Sequence, residues 1–138
     1  MLCYDGSEEA EQGVIEAEKR ARAFNGEVLV VTSHVNDDQF YPKRIEPTER
    51  SLKQVQAFFD KNGTSCQTLL AYRDFDENKG LHLLALAQQH KVDEIVVGIR
   101  SRSKVGKLLL GSIAQLLLLQ AECPVLGVKK RQKCDFAG

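Results

Sequence analysis

The sequence predicts a doubly wound α/β fold, a single parallel five-stranded sheet covered by helices on both faces. Two observations carry this expectation. Short β-rich apolar runs alternate with longer stretches of helical period, giving the order β-α-β-α-β-α-β-α-β. The run EVLVVTSHV (27–35) is also nearly continuously apolar, as in strands buried on both faces of a parallel sheet. Helical crossovers between successive strands are what parallel neighbours require.

The elements follow in order. LCY (2–4) is a short first strand. Ala10, Val14, Ala17, Ala21 and Phe24 recur at spacings of four and three, the apolar face of a first helix. Ser7 is its expected N-cap, Glu8 and Glu9 fill its first turn, and Gly26 stops it. The second strand, 27–35, leads into a polar stretch with Pro42 and Pro47, the least ordered-looking part of the chain. Leu52, Val55, Phe58 and Phe59 mark a second helix that ends near Asn62-Gly63. SCQTLLAY (65–72) is a third strand, and Asn78 caps a third helix through Leu81, Leu84, Ala85 and His90. VDEIVV (92–97) is a fourth strand, GSIAQLLLLQA (111–121) a fourth helix, and PVLGV (124–128) a fifth strand. The tail, 130–138, has little to bury and is expected to fray, leaving a domain of residues 1–129.

Composition limits the function classes. A chain of 138 residues is one domain with room for a core, and 43% apolar with 28% charged residues is ordinary globular composition. The formal net charge is zero, so no overall field favours nucleic acid or an anionic membrane, and any electrostatic site must be local. No apolar run reaches the length of a membrane span, and the first residues, MLCYDGSEEA, do not read as a secretory signal. Cys3, Cys66, Cys123 and Cys134 are scattered, which suits reduced thiols in the cytoplasm better than a disulfide framework or a metal site.

In an open parallel sheet, ligands bind beyond the carboxyl ends of the strands, where strand order reverses. Two segments there carry chemistry. After the first strand, YDGSEEA places Asp5 where its carboxylate can accept from ribose hydroxyls or an adenine amino group; the other reading is that Asp5 and Ser7 only cap the helix. After the fourth strand comes VVGIRSRSKVGKLLLGS (96–112). Gly98 permits a tight turn and close backbone approach. Gly111 and Ser112 open the fourth helix, whose free N–H groups favour phosphate, and Arg100, Arg102, Lys104 and Lys107 bring positive charge. A solvated basic turn is the competing reading. The segment is not a Walker A loop, because Ser101 stands where its first glycine belongs and Leu108 replaces the Ser or Thr after the lysine.

YDGSEEA, VLVVTSHV, DEIVVGIRSRSKVGKLLLGS and AECPVLGV, in that order and spacing, resemble the universal stress protein family over nearly the whole chain up to about Lys129. The resemblance implies strand order 3-2-1-4-5, an adenine nucleotide alpha hydrolase-like sheet, with Asp5 and Gly98 flanking one crevice. It implies an adenine nucleotide, ATP or AMP, with Mg2+ as an accompanying ion. Asp5 would lie at the adenosine end and the backbone of Val35 would meet the adenine. Val97, Gly98, Arg100, Ser101, Arg102, Gly111, Ser112 and Ile113 would surround ribose and phosphates. The family motif G-x2-G-x9-G-S/T is matched by Gly98, Gly111 and Ser112, and Ser101 replaces its second glycine with a Cβ and a hydroxyl donor. The first strand is shorter than in most members.

The resemblance further implies a homodimer through the fifth, edge strand, with Val125, Leu126 and Val128 as contacts. It implies a cytoplasmic stress-response sensor or regulatory module. A dimeric scaffold that binds no nucleotide is the alternative, and slow ATP hydrolysis ranks third. No hydrolytic apparatus is evident in the sequence, and His34, His82 and His90 read as structural. The S-G-G-x-D-S loop of the PP-loop adenylating enzymes is not what YDGSEE supplies.

Overall fold

The computed structural model describes residues 1–36, 42–100 and 110–131. Its elements are β1 (Leu2–Cys3), α1 (Glu8–Phe24), β2 (Val28–Val35), α2 (Pro42–Lys61), β3 (Cys66–Arg73), α3 (Lys79–Gln89), β4 (Ile95–Ile99), α4 (Ser112–Gln120) and β5 (Val125–Lys129). The strands form one sheet of order β3-β2-β1-β4-β5, parallel at every pairing. In register, Leu2 lies between Val30 and Val96, and Cys3 between Val31 and Val97. Strand order therefore reverses between β1 and β4, as the sequence led us to expect.

Alternation along the strands splits the core into two layers. Leu2, Val28, Val30 and Val96 face α1 and α2, where Val14, Leu52 and Phe59 pack on them. Cys3, Val31, Ile95 and Val97 face α3 and α4, against Leu83, Ala87 and Leu117. Both faces of the sheet are thus covered. Gly13 lets α1 lie close to β1, since a Cβ there would come within 3.0 Å of Leu2 Cδ1.

The helix starts follow their caps. Ser7 Oγ accepts from the Ala10 N–H, and Asn78 Oδ1 accepts from the Leu81 N–H. Four local expectations are corrected. Asn25, in left-handed conformation (φ 52°), ends α1 in place of Gly26, its N–H bonding the Ala21 carbonyl. Helix α2 begins at Pro42 and runs through Pro47, where an irregular stretch was expected. A proline in the first turn loses nothing, because its missing N–H has no intrahelical partner there. Strand β4 starts at Ile95 rather than Val92, because pairing with β5 begins at Ile95↔Val125. Strand β5 runs over Val125–Lys129 rather than 124–128, since its pairing with β4 extends to Ile99↔Lys129. Lys130 forms an ion pair with Glu8, and the rest of the tail expected to fray, beyond residue 131, lies outside the described residues.

Candidate nucleotide-binding crevice

The carboxyl ends of β1, β2 and β4 lie beside the starts of α1, α3 and α4. These ends enclose a cavity of about 230 Å³ lined by residues from all of them. Its floor is apolar, from Val31, Leu83 and Val97, and its rim is polar, from Asp5, Lys79, Arg100 and Ser112. A cleft of about 540 Å³ opens at the other, amino end of the sheet. The strand reversal and the helix N-termini lie at the carboxyl end, which makes the smaller cavity the candidate site.

Asp5 follows β1 directly. Its Oδ1 accepts from the Ser7 N–H at 2.9 Å, forming a turn held with Gly6 at φ +79°. The residues that competed as caps therefore have separate tasks. Ser7 caps α1, and Asp5 braces the turn while its other oxygen faces Arg100 Nη2 at 3.8 Å. Partial burial pushes the Asp5 carboxyl up. Hydrogen bonds from the Ser7 hydroxyl and N–H, with Lys79 and Arg100 nearby, outweigh that and hold it below its ordinary range. It is an anion at neutral pH, with oxygen valence to spare.

Gly98 differs from its expected role. It lies within β4, not in a turn, and a Cβ there would sit 2.8 Å from Glu9 Cβ and 3.1 Å from the Ala10 N. Its lack of a side chain lets the start of α1 pack on β4, which also carries Arg100 towards Glu9, 3.9 Å from Nε to Oε2. Gly111 is the opposite case. It is the N-cap residue of α4, with φ −57° and no side-chain cap bond, and a Cβ there would meet no described atom within 4 Å. The first N–H groups of α4, beside the exposed Ser112 and the half-buried Ile113, take no side-chain cap from Gly111.

Asp5, Val97, Gly98, Arg100, Gly111, Ser112 and Ile113 are thus brought together around one cavity. Val35 is not in its lining; it is half-buried at the last residue of β2, opposite Arg73. Ser101 and Arg102, with Lys104 and Lys107, lie outside the described residues. In β5, Val125 and Leu126 are half-buried, whereas Val128 is buried in the layer under α1 and α2.

The family model described as the universal stress protein family matches residues 1–129. The chain belongs to that family. A curated relative, the "Universal stress protein in QAH/OAS sulfhydrylase 3'region" of Thermus aquaticus, is 30% identical over 94% of this chain and 96% of its own length. The universal stress protein of Archaeoglobus fulgidus superposes with a TM-score of 0.80 at 28% identity, covering 93% of this chain and 96% of that one. Another Archaeoglobus fulgidus universal stress protein structure, in complex with dAMP, superposes at TM-score 0.68 and 22% identity, covering 93% and 94%. At that identity the likeness concerns the fold.

Within this universal stress protein, two cavity residues escaped the sequence reading. Lys79 opens α3, and its half-buried side chain makes no hydrogen bond or ion pair among the described residues. Ser33 is 7% exposed and lies in the strand run Thr32-Ser33-His34, whose polarity inside an otherwise apolar strand was the available signal. Thr32 Oγ1 donates to the Tyr4 carbonyl at 2.7 Å, tying β2 to the end of β1. His34 Nε2 shares a hydrogen bond with Thr48 Oγ1 at 2.9 Å and so turns towards α2, away from the cavity. Among the described residues, no three His, Cys, Asp or Glu side chains converge as a metal site, and no helix is long and apolar enough to cross a membrane.

Proposed function

We propose that this universal stress protein binds an adenine nucleotide in the crevice between β1 and β4 and acts as a nucleotide-responsive regulatory module. The observation that carries this reading is a single cavity with an anionic oxygen, from Asp5, and the glycine-capped start of α4 in one lining. Asp5 supplies the acceptor for a ribose or base donor. The first N–H groups of α4, with the Ser112 hydroxyl, suit phosphate oxygens, and Arg100 and Lys79 add charge around the same rim. Gly111 leaves room for phosphate to approach that helix start. The dAMP-bound relative supports adenine nucleotide as the ligand class.

Mg2+ would gain little from the protein itself. The nearby carboxylates, Asp5 and Glu9, both face Arg100, so the ion would be held chiefly by the nucleotide phosphates. No base positioned to activate water stands in the described lining, and binding rather than turnover is the activity we assign.

We also assign a homodimer through β5. Its outer edge is unpaired among the described residues, Val125 and Leu126 along it are half-buried, and α4 exposes Leu118 and Leu119. Val128 is directed to the core, so its contribution is through the backbone edge.

The direct test is mass spectrometry of whatever the purified native protein carries, followed by thermal shift with AMP and ATP. An adenine nucleotide in the released fraction, or a rise in melting temperature with either nucleotide, is expected. No released nucleotide and no shift would favour the nucleotide-free scaffold reading.

A further inference from the structure

The cavity wall formed by β2, β3 and α3 contains a hydrogen-bonded cluster that the phosphate end of the site does not use. Ser33 Oγ lies 2.7 Å from His82 Nδ1, and Arg73 Nη1 donates to Ser33 Oγ at 3.0 Å and to the Ser33 carbonyl at 3.1 Å. Ser33 and His82 are buried, and Ser33 lines the cavity. Buried polar groups inside a β/α layer of apolar residues are costly unless satisfied. Their presence here needs a reason.

Counting valences supplies one. A serine oxygen has one proton and two lone pairs, and a guanidinium only donates. Arg73 therefore occupies one lone pair. We take His82 in its Nε2–H tautomer, in which Nδ1 is the acceptor of the serine proton. The neighbouring floor, Val31, Leu83 and Val97, offers none. With the proton given to His82, one lone pair of Ser33 is left, on a residue that lines the cavity. Arg73 Nε is itself buried and meets no acceptor among the described residues, so donors outnumber acceptors in the cluster.

We propose that Ser33 is a specificity-determining residue that accepts a hydrogen bond from an N–H or O–H donor of the bound nucleoside. His82 and Arg73 are the positioning residues that fix its hydroxyl in that role. This rests on the nucleotide-binding reading above. The donor is either the exocyclic amino group of the base or a ribose hydroxyl, and both present the same chemistry to Ser33.

The test is calorimetric titration of wild type, Ser33→Ala and His82→Phe with four ligands: AMP, purine riboside 5′-monophosphate, 2′-deoxy-AMP and 3′-deoxy-AMP. Wild type is expected to prefer AMP by about three- to tenfold over the analogue lacking the donor that Ser33 reads. Loss against the purine riboside identifies the amino group, and loss against a deoxy analogue identifies a ribose hydroxyl. Ser33→Ala is expected to bind AMP and that analogue alike, and His82→Phe to narrow the same preference by releasing the serine proton. A purely structural cluster would weaken all four ligands together and leave the preference intact, which overturns the proposal. Equal binding of all four by wild type overturns it without any variant. If wild type binds none of them, the nucleotide reading itself fails. Should Ser33→Ala not fold, Ser33→Cys, close in size and a poor acceptor, takes its place.

Discussion

Gly98 and Gly111 belong to one motif, yet geometry separates what each does. A Cβ at Gly98 would press on Glu9 and on the backbone of α1. Gly98→Ala is therefore expected to lower stability by about 1–3 kcal/mol, seen as a lower urea midpoint with or without ligand. Gly111→Ala meets open space among the described residues, so its expected cost in the same urea titration is only that of a poorer N-cap, about 1 kcal/mol or less. Cys3 gives a pH-dependent case. Burial pushes its thiol from 9.0 up to about 12, ahead of the opposing pull of the N-terminal amine and Lys79. Folding favours the protonated thiol, so its contribution is complete below about pH 9 and is lost as pH rises towards 12. Cys3→Ala is expected to flatten that alkaline loss in urea titrations between pH 8 and 10; an unchanged slope would place the loss elsewhere. At this scale the sequence singled out Gly98 without revealing its packing role. Gly98 was legible as necessary, but its contact with α1 exists only once the sheet and helix are assembled.

Among the elements, the caps are the most predictable part. Ser7 and Asn78 announce α1 and α3 through chemistry that acts within three residues, so a sequence pattern can reveal them. Asn78→Ala is expected to cost about 1 kcal/mol, measured by chemical denaturation. The start of α2 was illegible for the complementary reason. Pro42 and Pro47 read as breakers, but Pro42 occupies the first helical position, and the turns beyond it are held by Ile45, Leu52 and Val55 packing on the sheet. Pro47 still denies a donor to the carbonyl four residues earlier. Pro47→Ala is thus expected to raise stability by about 1 kcal/mol or more. The lining residues Ser33 and Lys79 were hidden similarly: one is a strand residue and the other an ordinary helix-start lysine until β2, α3 and the crevice are set side by side.

For the whole molecule, strand order does the positioning. The reversal between β1 and β4 leaves a crevice at the carboxyl end of the sheet, and three helices begin at its rim. That much was legible from the succession of elements and from the family resemblance, because short crossovers between parallel strands leave few topologies. The edge strand β5 belongs to this scale too. Sedimentation is expected to show a dimer, and Val125→Lys, a charge at a half-buried position of the edge strand, a monomer that keeps its circular dichroism. The central claim is that the start of α4 holds the phosphate of an adenine nucleotide. Isothermal titration of AMP or ATP into wild type and Gly111→Val tests it most directly, because a side chain there meets no described atom and stands at the start of α4, where the phosphate is proposed to bind. The account predicts saturable binding to wild type and at least about a tenfold weaker affinity for a Gly111→Val protein that still unfolds cooperatively in urea. Equal affinities for the two proteins would contradict it.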